Sequence, residues 1–209
     1  MSLVTIFWTA LVAGLTGAMM PGPMLSVTIN ASARRGFMAG PMVVLGHAIL
    51  ELALIIGLLL GLNRFLTRPP VGMVIGIAGG AVLIWMGYGI VKGVITRQVS
   101  LELEAASENR QPGPTTAGII TSLSNPYWIL WWATVGLTFL KESLALGKTG
   151  VVSFYLGHIS ADLVWYSLIA FAVAASRRFM NDTVYRGILL VCGVFLVGLG
   201  GWFIYSSAT

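Results

Sequence analysis

The chain contains two histidines, and each stands four residues ahead of a carboxylate. Gly46-His47-Ala48-Ile49-Leu50-Glu51 and Gly157-His158-Ile159-Ser160-Ala161-Asp162 share the pattern Gly-His-x3-acid. Residues four apart lie on one face of a helix, so each histidine is set beside its acid. A histidine changes charge near neutrality, so each pair is suited to take up and release a proton. The same four groups meeting at one level would also make a transition-metal site. The plain alternative is a polar contact that joins two helices.

Proline marks a second matched feature. Pro21-Gly22-Pro23 and Asn125-Pro126 each interrupt a long apolar run. Proline removes a backbone donor and breaks the helical ladder. In lipid the freed groups are tolerated only where protein or a water-filled cavity supplies partners. A half-helix starting after such a break offers free N–H groups that attract an anion, for example an amino-acid carboxylate. The reading is that Pro21, Gly22, Pro23, Asn125 and Pro126 frame a central substrate site, Asn125 capping the next half-helix or bonding the substrate. The competing reading is a pair of simple proline kinks.

Composition fixes where these features must lie. Of 209 residues, 57% are apolar and 9% charged, against roughly 25% charged in a soluble domain. That excludes a soluble domain, a nucleic-acid binder and a disordered chain. One cysteine, Cys192, excludes a disulfide framework. The charges divide the sequence into six apolar runs, each longer than the ~20 residues that cross ~30 Å of hydrocarbon as a helix. Only helices satisfy their own backbone over such lengths in lipid. The first run, which lacks Lys and Arg before its apolar stretch, is read as a span rather than a signal peptide. The expected fold is therefore an all-α integral membrane protein with six transmembrane helices, the first and fourth broken near the midplane.

The matched pairs and breaks fall in corresponding places of two three-helix halves. Three is odd, so the second half enters the membrane from the opposite side. Inverted repeats with interrupted helices at matching positions are a recurring build of secondary transporters. The expected division is residues 1–91, a polar linker over 92–113, and residues 114–209. Glu51 lies 16 residues from Arg35 and 13 from Arg64; Asp162 lies 14 from Lys148 and 15 from Arg177. Both acids thus fall near the midplane, where a carboxylate costs at least ~2.5 kcal/mol on insertion scales. The expected cytoplasmic side carries eight Lys and Arg and the other side four, which places both termini outside. Glycines at 36, 40, 72, 76, 80, 198, 200 and 201 read as close helix packing. Trp128, Trp131 and Trp132 line a cavity or pack.

Several passages together resemble the lysine exporter superfamily of amino-acid exporters, which includes threonine and homoserine exporters. They are Pro21-Gly22-Pro23, Arg35-Gly36-Phe37-Met38-Ala39-Gly40, Gly46-His47, Gly79-Gly80-Ala81-Val82-Leu83-Ile84-Trp85-Met86-Gly87 and Asn125-Pro126, in order over essentially the whole chain. The resemblance implies six helices in the cytoplasmic membrane of a prokaryote, often a homodimer, and amino-acid export driven by the proton gradient or membrane potential. Three positions depart from the family pattern. Met24 stands where many members have an acid, Tyr127 where many have Lys, and Glu51 with His47 where many have Gly-x3-Gly-Asp. The departures leave the identity of the amino acid open.

The leading reading is a proton-coupled exporter of amino acids or similar small metabolites, with no cofactor. Its competitor is a divalent-metal transporter using His47, Glu51, His158 and Asp162 as ligands. A membrane enzyme would need a nucleophile motif or a phosphate-binding loop beside these residues, and the sequence has neither.

Overall fold

The computed structural model describes residues 2–62, 69–98, 112–175 and 182–208. Those residues form helices and short turns, with no strand among them. Arg64, Arg68, Arg177, Arg178 and most of the expected linker, residues 99–111, lie outside the described residues.

The first apolar run is α1 (Leu3–Ala18) and α2 (Pro23–Arg35), which meet at 80°. Prolines explain the corner. Pro21 and Pro23 disfavour helical backbone at Met20 and Gly22, and Gly22 is fully extended (φ −166°, ψ −172°). Pro23 then opens α2 at a position whose N–H would be unpaired in any case. Gly36 ends α2 at φ 79°, a backbone region that glycine adopts freely, and turns the chain into α3 (Ala39–Gly57). A wider π-helical turn, Leu58–Leu62, prolongs α3, with Gly61 at φ 119°.

The third run is α4 (Pro69–Ile95), which extends a few residues into the expected linker. The fourth run is divided more finely than one break predicts. It comprises α5 (Pro114–Leu123), α6 (Pro126–Trp131), a π-helical turn over Trp132–Gly136, and α7 (Leu137–Leu144). Asn125, extended before Pro126, caps α6: its side-chain oxygen accepts from the Tyr127 N–H at 3.1 Å. The chain closes with α8 (Gly147–Ala175) and α9 (Asp182–Ala208).

Ala39–Leu62, Gly76–Ile95, Gly147–Ala175 and Asp182–Ser207 are each long and apolar enough to cross a membrane, and α1 with α2 make a fifth, bent span. The expected fourth span lies in pieces of 10, 6 and 8 residues separated by the cap and the π-turn, none of them long enough alone. Large apolar side chains such as Leu60 and Trp85 stand outward, 84% and 73% exposed. Such an apolar exterior suits lipid rather than water.

Helices from the N-terminal and C-terminal parts of the chain pack on each other in pairs. α1 packs along α8, and α5 packs along α3. α4 and α9 pack on each other; α4 also meets α6, and α9 meets α2. The crossings are close because glycines sit in them. A Cβ on Gly157 would collide with the Phe7 carbonyl, and one on Gly46 with the Thr115 carbonyl. In the α4/α9 seam, Gly80 faces the Gly200 carbonyl and Gly87 the Gly193 carbonyl. Gly76 faces Ser207, whereas Gly198 and Gly201 have open space beside them. Gly40 meets Ala170 and the Tyr166 carbonyl of α8, so the expected glycine packing holds at 40, 76, 80 and 200 but not at 198 and 201.

Candidate functional site at the helix breaks

α3 and α8 deliver the two His-acid pairs to one point. His47, Glu51, His158 and Asp162 are all buried. Within α3, His47 Nε2 lies 3.1 Å from Glu51 Oε1; within α8, His158 Nε2 lies 3.9 Å from Asp162 Oδ2. The cross contacts are as close: His158 Nε2 is 3.2 Å from Glu51, and His47 Nε2 is 3.7 Å from Asp162. The pairs anticipated on separate helices therefore merge into one four-membered group.

Glu51 is its hub. Its Oε1 also accepts the indole N–H groups of Trp128 at 3.0 Å and Trp132 at 2.8 Å. Trp131 stacks on the His158 ring, with centroids 4.5 Å apart. The break before α6 and the π-turn after it bring three tryptophans around one carboxylate. Trp128 and Trp131 line the cavity described below, one of the two roles the sequence offered them; their bonds to Glu51 were not evident, although Trp128 and Trp132 repeat the four-residue spacing of the His-acid pairs.

Ser122, which no sequence signal singled out, fixes one imidazole. Its hydroxyl lies 2.8 Å from the Gly118 carbonyl, which can only accept, so the bond there uses the single hydroxyl hydrogen. With that hydrogen on Gly118, the 2.7 Å contact with His47 Nδ1 is an N–H donated by His47. Neutral His47 thus has its lone pair on Nε2, the atom facing Glu51 and Asp162. A nitrogen lone pair set against carboxylate oxygens repels them unless a proton or a cation lies between. His158 differs from its counterpart: its Nδ1 has no hydrogen-bond partner and faces Gly14.

The four side chains border a cavity of about 60 Å³, which Gly14, Met24, Ser122, Asn125 and Tyr166 also line. One water needs roughly 10–15 Å³ on this scale, so there is room for a few. Pro21, Gly22 and Pro23 line a neighbouring space of about 40 Å³, shared with Asn125 and Tyr127. The two breaks therefore meet, with Asn125 between them and the ionisable group, and Pro126 opening α6. A larger cavity, about 390 Å³, lies between α2, α5 and α9, with Arg34 and Arg35 in its wall.

Long apolar helices around a buried ionisable centre, with two helices broken beside it, define a polytopic membrane protein of the transporter kind. The chain belongs to the LysE type translocator family, whose model matches residues 15–207. It is similar to a threonine efflux protein of Salmonella typhi, 28% identical over 187 residues, covering 83% of this chain and 85% of that one. It is similar also to a leucine efflux protein of Enterobacter sp. (strain 638), 25% identical, covering 92% and 90%. A third relative bears a different name: the chemotactic transduction protein ChpE of Pseudomonas aeruginosa, 28% identical, covering 95% and 97%. No solved structure matches the chain.

Proposed function

We propose that this protein exports an amino acid or a similar small metabolite across the cytoplasmic membrane of a prokaryote, as a proton-coupled secondary transporter. The observation that carries this reading is the merging of two ionisable pairs, one from each half, in a cavity that both helix breaks approach. Relatives named for threonine and leucine efflux support an amino acid as cargo rather than a metal ion.

In this reading the chain is two inverted three-helix repeats, residues 1–91 and 114–209, with the polar segment between them and both termini outside. The reciprocal packing of α1 on α8 and α5 on α3 supports it, because a two-fold relation between the halves maps one contact onto the other. Substrate binds near the midplane. Its carboxylate is held at the start of α2, where no side chain caps the helix. Asn125 spends its oxygen on the α6 cap and so offers its amide N–H to the ligand. The central cavity holds only a few waters, so loading requires α1/α2 and α5/α6 to part. Glu51 and Asp162, with their histidines, exchange the coupling proton.

Proteoliposomes with an imposed pH gradient test this directly. Glu51→Gln and Asp162→Asn are each expected to lower proton-driven amino-acid flux at least tenfold while the protein stays folded. Wild-type flux in both variants would show that the coupling assignment is wrong.

A further inference from the structure

The four ionisable side chains have a geometry that proton exchange alone does not require. One atom from each, a ring nitrogen or a carboxylate oxygen, lies within 4.8 Å of the other three. A tetrahedral divalent ion bound at ~2.0–2.1 Å places neighbouring ligand atoms ~3.3 Å apart. The Nε2 atoms of His47 and His158 lie 3.1 and 3.2 Å from Glu51 Oε1, and 3.7 and 3.9 Å from Asp162 Oδ2. Each differs from that ideal by no more than about 0.6 Å, within reach of small side-chain rotations.

Two independent features point into the same space. Glu51 Oε2 and Asp162 Oδ2 are buried oxygens with no regular hydrogen bond, facing only the two imidazoles, and buried carboxylate oxygens are ordinarily satisfied. The Ser122 contact also holds His47 in the tautomer that turns the Nε2 lone pair inward. Orientation of a histidine through its second nitrogen is how protein metal sites are commonly built. The tryptophan bonds fix the Glu51 carboxylate in place, with Oε2 3.2 Å from His158 Nε2. Two neutral imidazoles with two carboxylates carry a charge of minus two, which a divalent cation neutralises.

We propose that His47, Glu51, His158 and Asp162 form a tetrahedral binding site for one divalent transition-metal ion. Imidazole nitrogen selects ions of the zinc and cobalt type over magnesium or calcium, which prefer six or more oxygens. The proposal uses the same four side chains as the export reading but does not depend on what is exported.

Purified full-length protein in lipid nanodiscs is titrated with Co²⁺, followed by its visible absorption, and then with Zn²⁺. Wild type is expected to take up one Co²⁺ per chain with the intense absorption of a tetrahedral site. Zn²⁺ should displace it, and a hundredfold excess of Mg²⁺ should not. His47→Gln/His158→Gln should lose the band, and Asp162→Asn should bind at least tenfold more weakly. Helical circular dichroism and a single elution peak report that the variants are folded. Absence of the band in wild type, or equal uptake by wild type and the double-histidine variant, overturns the proposal. The outcomes separate from those of the transport assay. Flux that depends on Glu51 with no Co²⁺ uptake refutes the site alone. Co²⁺ uptake with flux indifferent to Glu51→Gln refutes the coupling reading alone.

Discussion

His158 lies 3.2 Å from Glu51 on the facing helix, nearer than the 3.9 Å that separates it from Asp162 one turn along its own. Glu51 thus lies beside both imidazoles and accepts from two indoles, while Asp162 stands farther from both rings. The two acids match in sequence position but differ in surroundings. The asymmetry suits a device in which one carboxylate organises the centre and the other adjusts its charge.

Removing one of the donors to Glu51 leaves a buried carboxylate short of a partner. Hydrogen bonds to charged groups contribute roughly 1.5–3 kcal/mol. Trp132→Phe keeps most of the ring volume and should destabilise the protein by about that amount. Thermal unfolding in detergent measures it. An unchanged midpoint would mean that the indole bond to Glu51 contributes nothing.

Asn125 has two separable tasks. Asn125→Ser retains a capping oxygen for α6 and removes the amide donor. It should keep wild-type stability and weaken amino-acid binding several-fold. Asn125→Leu removes both, so it should also lose about 1 kcal/mol of stability. Calorimetric titration with amino acids, alongside thermal unfolding, distinguishes the two; unchanged affinity in both variants removes Asn125 from the substrate site.

Ser122→Ala should release His47 from its fixed tautomer without disturbing the backbone. The ¹⁵N shifts of the histidine ring report the tautomer directly. Wild type is expected to show the proton on Nδ1 when His47 is neutral, and the variant a mixture with reduced transport. A wild-type spectrum showing the proton on Nε2 would contradict the Ser122 assignment.

Glycine positions make a paired test of the packing. Gly46→Ala must push α3 away from the Thr115 carbonyl, and overpacking of this kind costs about 1–3 kcal/mol. Gly198→Ala meets open space and should cost nothing. Equal unfolding temperatures for the two variants would argue that α3 and α5 do not approach as closely as described.

Much of this arrangement is legible in the residues themselves. Pro21, Pro23 and Pro126 announce the breaks because proline's missing donor acts locally. The four-residue spacing of His47 to Glu51 and of His158 to Asp162 announces the pairs because helical periodicity is also local. What the spacing cannot specify is which helices meet, so the 3.2 Å contact between His158 and Glu51 was out of reach. Trp128 and Trp132 read as cavity lining or packing, and neither reading names Glu51, since an indole's single donor matters only once its neighbour is known. The 80° corner between α1 and α2 is sharper than a kink, and the π-turn after Trp131 has no proline or glycine run to mark it.

The α4/α9 pair rests on the remainder of the molecule chiefly through α6 and α2, the helices that follow the two breaks. The helices that precede the breaks, α1 and α5, lie against α8 and α3 instead. α2 itself packs mainly on α8, α3 and α5 and touches α9 only lightly, so the α4/α9 pair leans on the centre mostly from one side, through α6. The glycine seam that locks α4 to α9 would carry a tilt of that pair as one body to the Asn125 break.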